Sequence, residues 1–164
     1  MIAVRNPRTG QQDFSFEPPA EAALAARCAE LRRAQPAWWQ AGMEHRIAVL
    51  RRWADAIDAH RDAIAGALAI DTGRTAIALG EVRSASRNIR RWCDYGPTLI
   101  ATPVHESGVM PSLRYSHQLV PYALVGGISP WNFPVALSLI DSVPALLAGC
   151  AVFVKPSEVT PRFV

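Results

Sequence analysis

The chain has 164 residues, half of them apolar and 19% charged, which excludes a disordered or collagenous polymer and allows one domain with a sizeable core. Net charge is +3 and all but one of the 17 basic residues are arginine, but Glu30, Asp55, Asp58, Asp62 and Glu81 sit among them as on solvated helix faces, which disfavours a nucleic-acid-binding stripe. The cysteines Cys28, Cys93 and Cys150 are far apart, with no CxxC and no histidine at ligand spacing, which argues against a disulfide framework or a metal site and suits a reducing compartment.

In chain order, residues 1–19 read as a polar arm with turn signals at Asn6-Pro7 and Thr9-Gly10. They lack the apolar run of a signal peptide, and no apolar stretch in the chain is long enough to span a bilayer, so a cytoplasmic, membrane-free protein is expected. Residues 20–97 are helical. An alanine-rich helix from Ala20 is expected to stop at Pro36. A second carries Ile47, Leu50, Trp53, Ala54 and Ile57 on one face. A third covers Asp62 to Thr72, with Gly73 as its C-terminal cap. The fourth runs from Ile77 to Tyr95, with Leu79, Val82, Ile89 and Trp92 as apolar positions and Gly96-Pro97 as its stop. Residues 98–128 carry strand-like runs, Leu113 to Val120 and Tyr122 to Ile128, separated by Pro121. Residues 129–164 follow with a helix from Val135 to Leu147, ended by Gly149, and a buried strand from Ala151 to Val154. Helix, turn and apolar strand form an α/β unit of the doubly wound, Rossmann-like type, although no GxGxxG or GxxxxGK[ST] fingerprint is present. Thr160-Pro161 is a helix-start signal followed by only three residues. A chain that stops just after beginning its next unit is therefore expected, with exposed apolar surface on the last helix and strand.

Two constellations carry chemistry. In Ser129-Pro130-Trp131-Asn132-Phe133-Pro134 each proline disfavours helix at the residue before it, giving a stiff elbow that points Asn132 in a fixed direction. Its neutral amide either caps the following helix or donates to an oxyanion. In Lys155-Pro156-Ser157-Glu158 a cation and a carboxylate stand at the end of a strand, where doubly wound sheets bind ligands. They form either a solvated ion pair or a seat for ribose hydroxyls. A carboxylate there repels a 2′-phosphate, which favours NAD over NADP. Lys155 is also the only lysine.

Pro130-Trp131-Asn132-Phe133-Pro134 followed by Gly149-Cys150-Ala151-Val152-Phe153-Val154-Lys155-Pro156-Ser157-Glu158 resembles the aldehyde dehydrogenase superfamily. Asn6-Pro7-Arg8-Thr9-Gly10, the Trp39, Arg46 and Leu50 pattern, Thr72-Gly73 and Glu81 extend the likeness along the chain. Two positions depart from it: Tyr122 stands where the family has Gly, and Cys150 where many members have Asn, read here as a core thiol. The resemblance implies NAD(P)-dependent oxidation of an aldehyde to a carboxylic acid by a homo-oligomeric enzyme. It implies Asn132 as the oxyanion donor, Ile128, Ser129, Pro130 and Trp131 as the loop along the cofactor, and Lys155, Ser157 and Glu158 as contacts to its adenosine half. It also implies that the nucleophilic cysteine, the general-base glutamate and the catalytic domain lie beyond Val164. None of Cys28, Cys93 or Cys150 takes the nucleophile's place, so the chain is expected to be inactive alone. The alternative is a non-catalytic interaction or oligomerisation fragment, or a remnant, pairing with a full-length subunit.

Overall fold

The computed structural model describes residues 1–164. The arm is a hairpin: β1 (Ile2–Arg5) pairs antiparallel with β2 (Gln12–Phe16). The turn signals expected in a plain arm make its loop. Asn6 Oδ1 accepts the Arg8 N–H at 3.0 Å, and Gly10, at φ 78, donates its N–H to the Asn6 carbonyl at 2.9 Å. Four helices follow, α1 (Glu21–Gln40), α2 (Gly42–Ala59), α3 (Arg61–Thr72) and α4 (Thr75–Leu99). Then come the two-residue strands β3 (His105–Glu106) and β4 (Arg114–Tyr115), β5 (Val125–Ile128), α5 (Pro134–Leu139), α6 (Ser142–Ala148) and β6 (Val152–Lys155). β3 and β4 pair antiparallel, β5 and β6 in parallel.

The core lies where α2, α3 and α4 meet α5 and α6. Leu50, Ala54 and Ile57 of α2 pack with Ala65 and Leu68 of α3 and with Ala78, Val82, Ala85, Ile89 and Cys93 of α4; Val135, Leu139, Val143 and Leu147 close it. The three- and four-residue steps predict this face well. On α4 the stripe is rotated, so that Leu79 and Trp92 lie at its margin. Gly73 caps α3 in the left-handed region, φ 71, as its position after Thr72 predicts.

Two helices run through their expected stops. Pro36 lies inside α1 and Pro97 inside α4. Proline removes one intrahelical donor, but tertiary bonds hold α1 on both sides of the gap. Gln35 Nε2 donates to the Gly149 carbonyl at 2.8 Å and Trp38 Nε1 to the Leu146 carbonyl at 2.9 Å. Arg46, buried on α2, adds Nε to the Leu147 carbonyl at 2.9 Å and Nη1 to the Trp39 carbonyl at 2.8 Å. The ends of α1 and α6 are thus tied to one another by side chains that donate to backbone carbonyls in their last turns. Gly149 allows the close approach: it sits at φ 98, and a Cβ there would lie 2.8 Å from Trp39 Cδ1.

Gly96 serves a second close approach. A Cβ at this position would collide with Leu147 Cδ2, and Leu147 is itself buried. Gly96→Ala is expected to cost about 1–3 kcal/mol through overpacking, of which the roughly 1 kcal/mol that alanine gains over glycine in a helix is recovered, a net loss of up to about 2 kcal/mol. A urea midpoint equal to that of the unsubstituted chain would mean that Leu147 moves aside freely.

The remaining corrections concern chain length between breaks. The expected strand Leu113–Val120 shrinks to Arg114–Tyr115, and Tyr122–Ile128 to Val125–Ile128. Between residues 99 and 122 the apolar side chains Leu99, Val104, Val109, Met110, Leu113, Tyr115, Leu119, Val120 and Tyr122 are exposed, so nothing in the chain supports a longer ladder. The single helix expected over 135–147 is broken after Ile140 into α5 and α6. Pro144 has no N–H for the Ile140 carbonyl and its ring crowds that carbonyl. β6 is half-buried along Val152, Phe153 and Val154 where a buried strand is expected; Cys150 and Ala151 before it are buried. Thr160-Pro161 opens turns only, with the Val164 N–H on the Pro161 carbonyl at 3.2 Å.

Candidate functional site

The parallel pairing of β5 and β6, Val125↔Val152 through Ile128↔Lys155, brings the two constellations to one end of the sheet. The ladder continues one step further, where the Ser129 N–H donates to the Lys155 carbonyl at 3.0 Å. This is the carboxyl end of both strands, the ligand-binding end of an open α/β sheet. Ile128, 84% exposed, and Trp131 stand free there. Lys155 and Glu158, both about half exposed, form an ion pair, Nζ to Oε2 at 2.5 Å. Glu158 is held below the usual carboxylate range by its hydrogen bond from Lys155, by its own backbone N–H and by the ammonium charge. Its negative charge is therefore offset before any ligand arrives.

The other sequence-predicted residues divide into framework and free groups. Ser129 is buried, and its hydroxyl donates to the Pro134 carbonyl at 3.2 Å, closing the elbow from within. Ser157 is buried too, and its Oγ accepts the Val159 N–H at 3.2 Å in a tight turn after β6. Pro130 is exposed on the elbow. Asn132 is half-buried, and Phe133, not Asn132, occupies the N-cap position of α5; that cap carries no side-chain hydrogen bond. An amide that neither caps the helix nor bonds elsewhere in the chain is available to a ligand.

The cap that Asn132 does not supply comes from α4. Glu81 is 5% exposed, and its Oε1 accepts the Val135 N–H at 2.9 Å and the Ala136 N–H at 3.0 Å, the first open donors of α5. Glu81 is thus not on the solvated face its charge suggests. Burial pushes its carboxyl up, against the two N–H bonds and the charge of Arg74. The Arg74 guanidinium lies 4.8 Å from the Phe133 ring centroid, and its Nε and Nη2 are buried without hydrogen-bond partners. Thr160, fully buried, donates its hydroxyl to the Trp131 carbonyl at 3.5 Å. The elbow is therefore gripped from α4, from β6 and from the turn after it. Sequence reading names Glu81 and Thr160 for other reasons and misses the part they and Arg74 play at the elbow. The available signal for Glu81 was its place between Ala78, Val82 and Ala85 on the buried stripe of α4.

The cysteines lie elsewhere. Cys93 is buried in α4, and burial raises its thiol, against the charge of Arg51. Cys150 is buried ahead of β6 and Cys28 is partly exposed on α1. No group of three or more His, Cys, Asp or Glu side chains is placed to hold a metal ion, and no helix is long and apolar enough to cross a membrane.

A β–α–β unit with exposed polar groups and a free amide at its carboxyl end defines an α/β fold with these groups at the end where open α/β sheets bind ligands. The model of the aldehyde dehydrogenase family matches residues 1–164. The chain is 32% identical over 164 residues to the mitochondrial succinate-semialdehyde dehydrogenase of Arabidopsis thaliana, covering 98% of this chain and 30% of that protein. It is 28% identical to the succinate-semialdehyde dehydrogenase [NADP(+)] GabD of Escherichia coli, covering 98% and 33%. The aldehyde dehydrogenase PutA structure from Anabaena variabilis, which carries "Putative" in its name, superposes with TM-score 0.94 at 49% identity, over 99% of this chain and 34% of that one. The chain belongs to the aldehyde dehydrogenase family, and it spans about a third of the length of the relatives it matches.

Proposed function

We propose that residues 129–164 form the beginning of the dinucleotide-binding unit of an NAD(P)-dependent aldehyde dehydrogenase, and that this chain supplies one half of its cofactor site together with its oxyanion donor. One observation carries the reading. The Ser129 N–H bond to the Lys155 carbonyl fixes a free amide and an exposed cation–carboxylate pair at the same sheet end. The names of the relatives, which include NADP-dependent enzymes, support it.

The residues fit the adenosine half of a dinucleotide. Ile128 and Trp131 offer an exposed apolar edge to a planar ring, and Lys155 offers donors to ribose hydroxyls or to phosphate. Glu158 offers acceptors. Ser129 and Ser157 hold the backbone on either side and are framework. A bound dinucleotide would supply the hydride acceptor. Asn132 donates its amide N–H to the carbonyl oxygen as negative charge develops there, and a preorganised neutral donor pays no reorganisation at that moment. The nucleophilic thiol and the general base are assigned to parts of the whole enzyme outside these residues; Cys93 in α4 and Cys150 ahead of β6 are buried thiols. The whole enzyme is read as a cytoplasmic homo-oligomer acting on a small aldehyde, and this chain alone as inactive. Support for assembly is the exposed apolar run between residues 99 and 122. The same run supports a second reading, a non-catalytic piece that associates with a longer subunit.

Titrating the chain with NAD, and separately with NADP, is expected to quench tryptophan fluorescence saturably through Trp131. Lys155→Ala should weaken binding roughly tenfold or more, the worth of a charge-assisted hydrogen bond. Glu158→Gln should shift preference toward NADP by removing a negative charge from the 2′ side. Absence of saturable quenching with both dinucleotides refutes the half-site reading and leaves family membership untouched.

A further inference from the structure

A second polar concavity lies away from the sheet end, where α2, α3 and α4 meet on the outer face. It is an open depression of about 420 Å³, and no apolar side chain lines it. Arg61, Arg83, Arg87 and Arg90 contribute guanidiniums to its wall, with Asp58 and Ser86. The acidic residues there are already engaged. Arg90 pairs with Asp55 at 2.6 Å and with Asp58 at 2.8 Å, and Arg61 reaches Asp62 at 3.5 Å. Arg83 and Arg87 are exposed and make no ion pair. They stand four residues apart on α4, so their charges face one another on one side of the helix, an arrangement that disfavours the helix when nothing neutralises it. The two unpaired charges, on Arg83 and Arg87, stand on one wall of this concavity.

We propose that this arginine hollow is a binding site for a small anion carrying two or more phosphate groups. Guanidinium presents a planar fork of donors that matches phosphate oxygens two at a time. A 420 Å³ hollow has the size of a small-ligand pocket, and its lack of apolar lining suits a ligand without a ring or acyl body. Arg90, held in place by two aspartates, forms a fixed side of the site, while Arg83 and Arg87 are the free donors that close on the ligand. The site is separate from Lys155 and does not depend on the reading of the sheet end as a cofactor site.

The test is calorimetric titration of the full chain with sodium tripolyphosphate at low and at physiological salt. Saturable one-to-one binding that weakens with salt is expected. Arg83→Gln with Arg87→Gln should weaken it by roughly a hundredfold, two charge-assisted contacts being removed. Both residues are exposed and unpaired, so the variant should keep the circular dichroism of the parent. Arg32→Gln with Arg33→Gln removes the same charge from exposed positions on α1 and should leave affinity within about twofold, as should Lys155→Ala. Failure of the parent chain to saturate overturns the proposal. So does an equal loss in the Arg32/Arg33 variant, which would reduce the effect to net charge, or a loss confined to Lys155→Ala, which would place the anion at the sheet end.

Discussion

Asp71→Ala is expected to destabilise the chain by about 3–5 kcal/mol, the usual result of removing one partner from a buried ion pair. The Asp71 side chain is 1% exposed, and its two oxygens accept the Arg162 backbone N–H at 2.9 Å and Nε at 2.6 Å. The same guanidinium bonds Asp13 on β2 and lies 4.8 Å from the Phe14 ring centroid. One arginine thus fastens α3, the N-terminal hairpin and the turn after β6. Without Asp71 it keeps a single, partly exposed carboxylate, and its own backbone donor loses its acceptor. Because a domain of this size is held by only about 5–15 kcal/mol, the loss should appear as a large drop in the urea midpoint. Tryptophan emission would follow it. Arg162→Met combined with Asp71→Ala should recover part of the loss, since no deeply buried charge is then left unpaired and the partly exposed Asp13 keeps the Asn6 amide. A single substitution within 0.5 kcal/mol of the parent would show that water reaches the pair and that it contributes little.

The second large effect concerns Glu81. Glu81→Ala strips two buried N–H groups of their acceptor at the start of a six-residue helix, at an expected cost of about 2–4 kcal/mol. The pH dependence has a definite sign. Burial raises the folded carboxyl above its unfolded value, so the folded state holds this proton more tightly than the unfolded state does. The contribution from Glu81 is fully present below the unfolded pKa and is lost as pH rises through the folded one. Glu81→Gln keeps an acceptor without the charge, so its stability should not fall over that window. The difference between parent and Glu81→Gln should therefore grow from pH 4 toward neutrality in favour of the variant. Asp13 and Asp58, whose carboxyls are held low by hydrogen bonds and arginine charge, titrate alike in both proteins and cancel in the comparison. Parallel curves would refute the buried-carboxylate account. Because Glu81 grips the two residues of α5 that follow the elbow, the amide resonances of Asn132 should shift with the same titration.

Much of this fold is local chemistry and can be read along the chain. The stripe of Leu50, Ala54 and Ile57, the left-handed Gly73 and the two constellations at 129–134 and 155–158 each occupy one short stretch of sequence. What cannot be read is settled by partners far away in sequence. Pro36 reads as a stop because the bonds that carry α1 past it come from Gln35 and Trp38 to the end of α6, more than a hundred residues on. Gly96 reads as a breaker, yet its missing side chain makes room for Leu147. Glu81 reads as a surface charge because its N–H partners are 54 and 55 residues downstream. The family resemblance places Asn132 and Lys155 in one site, but their common sheet end follows from the parallel register, which single-strand patterns do not encode.

That register has a consequence for how the chain tolerates changes of length. Four paired residues set which face of the sheet Lys155 shares with Ile128, and strand side chains alternate between faces. Removing one residue from Val152–Val154 would turn Lys155 to the opposite face while leaving every residue of the two constellations in the sequence. An extra residue beside Ile140 and Asp141, where the crossover already breaks, would be taken up between two helices and leave the ladder in step. Insertions and deletions should therefore be graded by position rather than by size: harmless at the break, and disabling inside a strand only four residues long.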